Sequence, residues 1–127
     1  PQEARTSSAL HQAHGGVHPA RMIEVELLLH GDGIEGFRVR GHAGYAEAGQ
    51  DIVCAAVSVL VYNFVNSAER FAGARFDVQD VGEALTCRFP EALDARAKLH
   101  FDSMVFGIEQ VAEQYPEHVR IRRVQAR

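Results

Sequence analysis

Two residues twelve positions apart, His42 and Cys54, are the pair in this 127-residue chain best suited to chemistry. They lie in the stretch GHAGYAEAGQDIVCAAVSVL, residues 41–60, where a Gly- and Ala-rich loop runs into a strongly apolar helical pattern. Asp51 stands at the start of that pattern. Aspartate is a preferred N-cap because its carboxylate accepts the N–H groups that a first helical turn leaves unpaired. With Asp51 as the cap, Cys54 is the third helical residue and its sulfur sits in the positive end of the helix dipole. A thiol so placed beside an imidazole has its pKa drawn from about 8.5 to roughly 3.5–7.5, which gives a thiolate near neutral pH. A thiolate is a nucleophile or a metal ligand. The other reading of Cys54 is a small buried hydrophobe, and spacing by itself leaves both open.

The chemistry open to such a pair is acyl transfer. His42 takes the thiol proton, the thiolate attacks a peptide carbonyl, and the imidazolium returns the proton to the leaving amine. The N–H groups of the helix's first turn, that of Cys54 included, are candidate donors to the oxyanion. Two residues are candidates for support. Asp51 either orients His42 or only caps the helix, and Ser58, one turn after Cys54 on the same face, either bonds within the site or back-bonds to a helix carbonyl. Gly44 and Gly49 allow the intervening loop to move over bound substrate. A metal site from His42 and Cys54 with Glu47 or Asp51 is also conceivable, but four well-spaced ligands are lacking.

The string Gly41-His42-Ala43, then Gly44 and Gly49, then Asp51 through Ser58 (DIVCAAVS), resembles the signature of the ribosomal-processing cysteine protease family, Prp. The likeness covers roughly residues 22 to 124, and it places Asp51 and Ser58 at motif positions. It implies a cytoplasmic, typically dimeric enzyme with no metal or organic cofactor. It also implies a reaction, removal of a short N-terminal extension from the precursor of large-subunit ribosomal protein L-twenty-seven, after a hydrophobic motif containing an aromatic residue.

The elements that must position the pair follow from periodicity. Ile23, Val25, Leu27 and Leu29 alternate with Glu24 and Glu26, and Phe37 and Val39 alternate with Arg38 and Arg40. These read as two strands joined by the turn Gly31-Asp32-Gly33, with acidic and basic residues paired across a solvent face. The hairpin delivers His42 to a strand end. A helix from residue 51 to about 71 is apolar nearly all round, which calls for cover by a sheet and by a second helix or a partner subunit. Gly73 suits its C-cap. A second hairpin uses Phe76 and Val78, then Leu85, Cys87 and Phe89, with Cys87 facing the core. An amphipathic helix follows from about residue 91 to 115, and residues 119–122 form a short strand whose Arg120, Arg122 and Arg123 face solvent or an acidic or ribosomal partner. The order ββαββαβ predicts an α+β domain, a mostly antiparallel sheet packed by two helices.

Composition narrows the classes. A net charge of −4 and a pI near 6.0 argue against a nucleic-acid surface as the main function. No unbroken apolar run reaches the ~18–20 residues of a membrane span. Two cysteines without CxxC spacing suggest neither a disulfide scaffold nor a zinc module, and a reducing cytoplasm is the expected compartment. Residues 1–21 carry only Leu10 and Val17 as branched apolar residues. They are expected to be a flexible leader or a non-native extension before a domain at 22–127. The competing function is a non-catalytic ribosome-associated or ribosome-assembly protein in which Cys54 is packing.

Overall fold

The computed structural model describes residues 22–41, 48–82 and 84–125, with side chains along the first helix from residue 52 onward; the expected leader lies outside this set. Seven elements follow in order: β1 (Ile23–His30), β2 (Gly33–Arg40), α1 (Ala48–Ala72), β3 (Asp77–Val81), β4 (Ala84–Arg88), α2 (Ala95–Gln114) and β5 (Val119–Gln125). The strands form one sheet in the order β3-β4-β2-β1-β5. All neighbours run antiparallel except β1 and β5, which are parallel. The α+β architecture with a mostly antiparallel sheet is therefore as expected, with β5 making the sheet mixed.

Alternation fixes the core face. Ile23, Val25 and Leu27 of β1, Phe37 and Val39 of β2, and Leu85 and Cys87 of β4 are all buried on one side. Helix α1 meets that side with Val53, Val57, Val61, Phe64 and Ala68, and α2 with Ala97, Phe101, Met104 and Ile108. The helices touch where Gly107 of α2 leaves room for Leu60 of α1, since a Cβ there would lie 2.8 Å from the leucine's Cδ2. Phe37, Phe64, Phe89 and Phe101 meet mostly edge-to-face, with centroids 5.7–6.4 Å apart, and they hold the lower half of α1 to the sheet. Gly73 takes φ 67° just past the last turn of α1, as its C-cap role requires, and the Ala74 N–H bonds back to the Ala68 carbonyl.

By length and composition alone, residues Ile52–Ala72 are apolar enough to cross a membrane, a test that the core helix of a folded domain also passes. Asn63, Asn66 and Ser67 interrupt it with small polar groups, and Glu69 and Arg70 place two charges in its last turn. In the fold, one face of this helix supplies about a third of the buried core.

Helix α2 begins at Ala95 rather than near residue 91. Asp94 caps it, with its carboxylate accepting the Ala97 N–H at 2.9 Å. Across the other face of the sheet, Glu24 pairs with Arg40 and Glu26 with Arg38 in register. That pairing was expected, but the setting differs. Glu26 is only 2% exposed, and three guanidinium groups close over it: Arg38 at 2.7 Å, Arg40 at 3.0 Å and Arg122 of β5 at 3.1 Å. Arg120 pairs with Glu24, so two of the three β5 arginines are engaged within the domain.

Candidate active site

Strand β2 ends at Arg40, and Gly41 turns the chain away with φ 85°. A Cβ at Gly41 would lie 2.6 Å from the Met22 carbonyl oxygen, so the exit from the strand demands glycine on both counts. The next residue is His42. It lies outside the described residues, as does Gly44.

The chain re-enters description at α1, which starts at Ala48, three residues before the expected cap. Asp51 is therefore inside the first turns of the helix, and Gly49 belongs to the helix rather than to the loop. Ala48 and Gln50 are strong helix formers. Glycine is tolerated where the backbone N–H groups are unpaired in any case, so an apolar pattern that begins at Ile52 marks the start too late. This displacement changes the electrostatics. Cys54 becomes the seventh helical residue, and in an α-helix its N–H points at the carbonyl four residues back. That N–H is spent within the helix and is no longer an oxyanion donor. The dipole also fades beyond the first turn. The donors a helix start offers belong to residues nearer Ala48.

Cys54 is half-buried at the margin of the core, with Val53 and Val57 fully buried beside it. It is not sealed in hydrocarbon, which the nucleophile reading requires. Ser58 follows one turn later and is also half-buried. Cys87 has the opposite setting. It is completely buried between β2 and β3, and burial, together with the charges of Glu69 and Asp77, pushes its thiol up to about 12. Among the described residues, no three His, Cys, Asp or Glu side chains come together as a metal site.

One feature of this flank was not read from the sequence. Tyr62 lies two further turns along from Cys54, and its hydroxyl donates to Asp80 of β3 at 2.9 Å. The steps from 54 to 58 to 62 are the helical signal that points to it.

Comparison with known proteins gives this geometry a context. The family described as cysteine protease Prp matches residues 22–120. The ribosomal processing cysteine protease Prp of Bacillus subtilis is 35% identical over 98 residues, covering 72% of this chain and 88% of that protein. The Staphylococcus aureus Prp is 28% identical over 103 residues, covering 79% and 97%. Among solved structures, a Streptococcus mutans protein superposes with TM-score 0.73 at 31% identity, covering 84% of this chain and 97% of its own. The S. aureus protease bound to a covalently linked product peptide superposes with TM-score 0.72 at 25% identity, covering 81% and 100%. The family match runs from β1 to the start of β5 and takes in both helices and the segment that carries His42 and Cys54, and the chain belongs to the Prp family of cysteine proteases.

Proposed function

We propose that this protease removes the short N-terminal extension of a ribosomal protein L-twenty-seven precursor, with Cys54 as nucleophile and His42 as its base. The observation that carries the reading is the contrast between a half-buried Cys54 at the margin of the core and a second thiol locked inside it. The S. aureus relative supports it, since a product peptide covalently linked to such an enzyme is what thiolate attack on a carbonyl leaves behind.

The steps balance within the pair. Imidazole takes the thiol proton, the Cys54 sulfur bonds the scissile carbonyl carbon, and the C–N bond breaks as imidazolium protonates the leaving amine. Water then adds to the thioester, with imidazole accepting its proton, and the acid product departs as thiolate and imidazolium are restored. Asp51 and Ser58 are candidates to orient His42 and to bond within the site. No cofactor enters these steps. We place the enzyme in the cytoplasm as a homodimer, where a reduced thiol and a nascent ribosomal substrate meet.

The test is mass spectrometry of the precursor's N-terminus after incubation with the wild-type chain, Cys54→Ala or His42→Ala. The expected outcome is trimming by the wild type alone. Trimming by Cys54→Ala would overturn the proposal.

A further inference from the structure

The flank of α1 that carries Cys54 continues, at steps of four, through Ser58 to Tyr62. Cys54 and Ser58 are half-buried there, while the Tyr62 ring is 42% exposed. Its hydroxyl does not wander, because it donates to the Asp80 carboxylate on β3. Burial, and then the bond and charge of Asp80, raise the Tyr62 hydroxyl above its ordinary range, so it remains a donor throughout the neutral range. Val59 stands one turn before Tyr62 at 66% exposure. Val78, two residues from Asp80 on the same face of β3, is 38% exposed. Strand β3 is itself a sheet edge, exposed along its whole length, so one side of its backbone is open to an added strand. A fixed aromatic ring, the exposed Val78 and an open strand edge thus lie on the flank that continues from Cys54.

The geometry points to Tyr62, tethered by Asp80, as a specificity-determining residue that receives an apolar side chain of a peptide substrate lying along the open edge of β3. This inference rests on the Cys54-centred reading for the position of the scissile bond. Eight helical positions at about 1.5 Å each put Tyr62 about 12 Å along the axis from Cys54. An extended peptide advances roughly 3.3 Å per residue. The residue that meets the ring is therefore three or four positions from the bond that is cut. The occupant is a peptide because the S. aureus Prp structures hold substrate and product peptides on this fold. It is extended because an edge strand recognises a strand. The carboxylate of Asp80 on the Tyr62 side of β3 favours a peptide that is neutral or basic at this point.

Binding is to be measured apart from catalysis, on Cys54→Ser, with a fluorescein-labelled peptide spanning the processing point of the precursor and an alanine scan of that peptide. Tyr62→Ala on this background is expected to raise Kd at least tenfold. It should also erase the penalty for alanine at one position, three or four residues from the scissile bond. Tyr62→Phe keeps the ring but loses the tether, and Asp80→Asn weakens it from the other side; each is expected to raise Kd two- to fivefold with unchanged thermal unfolding. Unchanged Kd in Tyr62→Ala overturns the inference. So does a Tyr62→Ala variant that only dissociates a dimer in sedimentation, since the stripe then belongs to a second copy. Tyr62-dependent binding with no wild-type cleavage overturns the protease reading and keeps the subsite. No binding by Cys54→Ser itself overturns both.

Discussion

Cys87 and Cys54 carry the same sulfur in two regions built on different rules. Around Cys87 the chain is a regular antiparallel ladder, with Phe37 on one neighbouring strand and Val78 on the other. Every choice there excludes water, and the price is a thiol held near 12. Around Cys54 the packing is one-sided. Val53 and Val57 anchor the helix below, while Ile52 and Val59 are left exposed above. The two thiols therefore differ in cover rather than in residue type, and the helix that supplies about a third of the buried core also carries Cys54 at its margin.

The largest effect that tests this contrast is on turnover. Cys54→Ala should lower kcat/KM for an extended precursor peptide by a factor of about 10³ or more, whereas Cys87→Ala should leave it within about threefold for the folded fraction. Comparable losses in both variants, measured by peptide cleavage and corrected by circular dichroism, would break the distinction.

Alkylation sharpens it next. A thiol with its pKa near 12 is ionised in only about one molecule in 10⁴ at pH 8. Iodoacetamide at that pH should therefore label Cys54 long before Cys87, with Cys87 following only in denaturant. Peptide mapping reads both sites in one experiment.

A smaller effect is expected on stability. Cys87→Ser puts a hydroxyl in a wholly apolar position and should cost about 1–3 kcal/mol in urea unfolding, with kcat of the surviving enzyme unchanged.

The smallest moves the contrast from sulfur to carboxylate. Burial pushes the Glu26 carboxyl up, but the bonds from Arg40, Arg122 and Arg38, with the charge of Arg40, together outweigh it and hold it below its ordinary value of 4.5. A depressed folded-state pKa means that the ionised form contributes stability above pH 4.5, and that this contribution is lost as pH falls through the lower folded value. Urea midpoints should therefore drop with acid below pH 4.5, and Glu26→Gln, at a cost of about 1–2 kcal/mol at pH 7, should flatten that slope.

The fold was largely legible because its strands alternate cleanly and its second helix repeats in threes and fours. Phe37, Leu85, Cys87 and Phe101 all lie where period two or period 3.6 puts them. Helix starts were less legible. The apolar pattern begins at Ile52, while the helix begins at Ala48, since Ala and Gln carry the backbone without marking a face. The Asp94 cap was hidden for a related reason, as the expected start near residue 91 lay three residues ahead of it. Burial of Glu26 was not legible at all. It depends on Arg122, which is 96 positions away, and only the parallel pairing of β5 with β1 brings that guanidinium over the carboxylate. At the site, the sequence supplied residue types and spacing, but the tether from Tyr62 to Asp80 needed the sheet order that sets β3 beside the reactive helix flank.

The parallel seam between β1 and β5 has a consequence for synthesis. A ribosome releases β1 and β2 early, and they can zip together locally, but the other side of β1 waits for a segment translated roughly a hundred codons later. Until that segment emerges, the Glu26 carboxylate lacks one of its three cations and Ile23 to Leu29 lack a neighbour. The protease therefore cannot finish assembling from its early hairpin alone, and a nascent chain stalled before residue 119 would leave the buried strand β1 as an unpaired sheet edge.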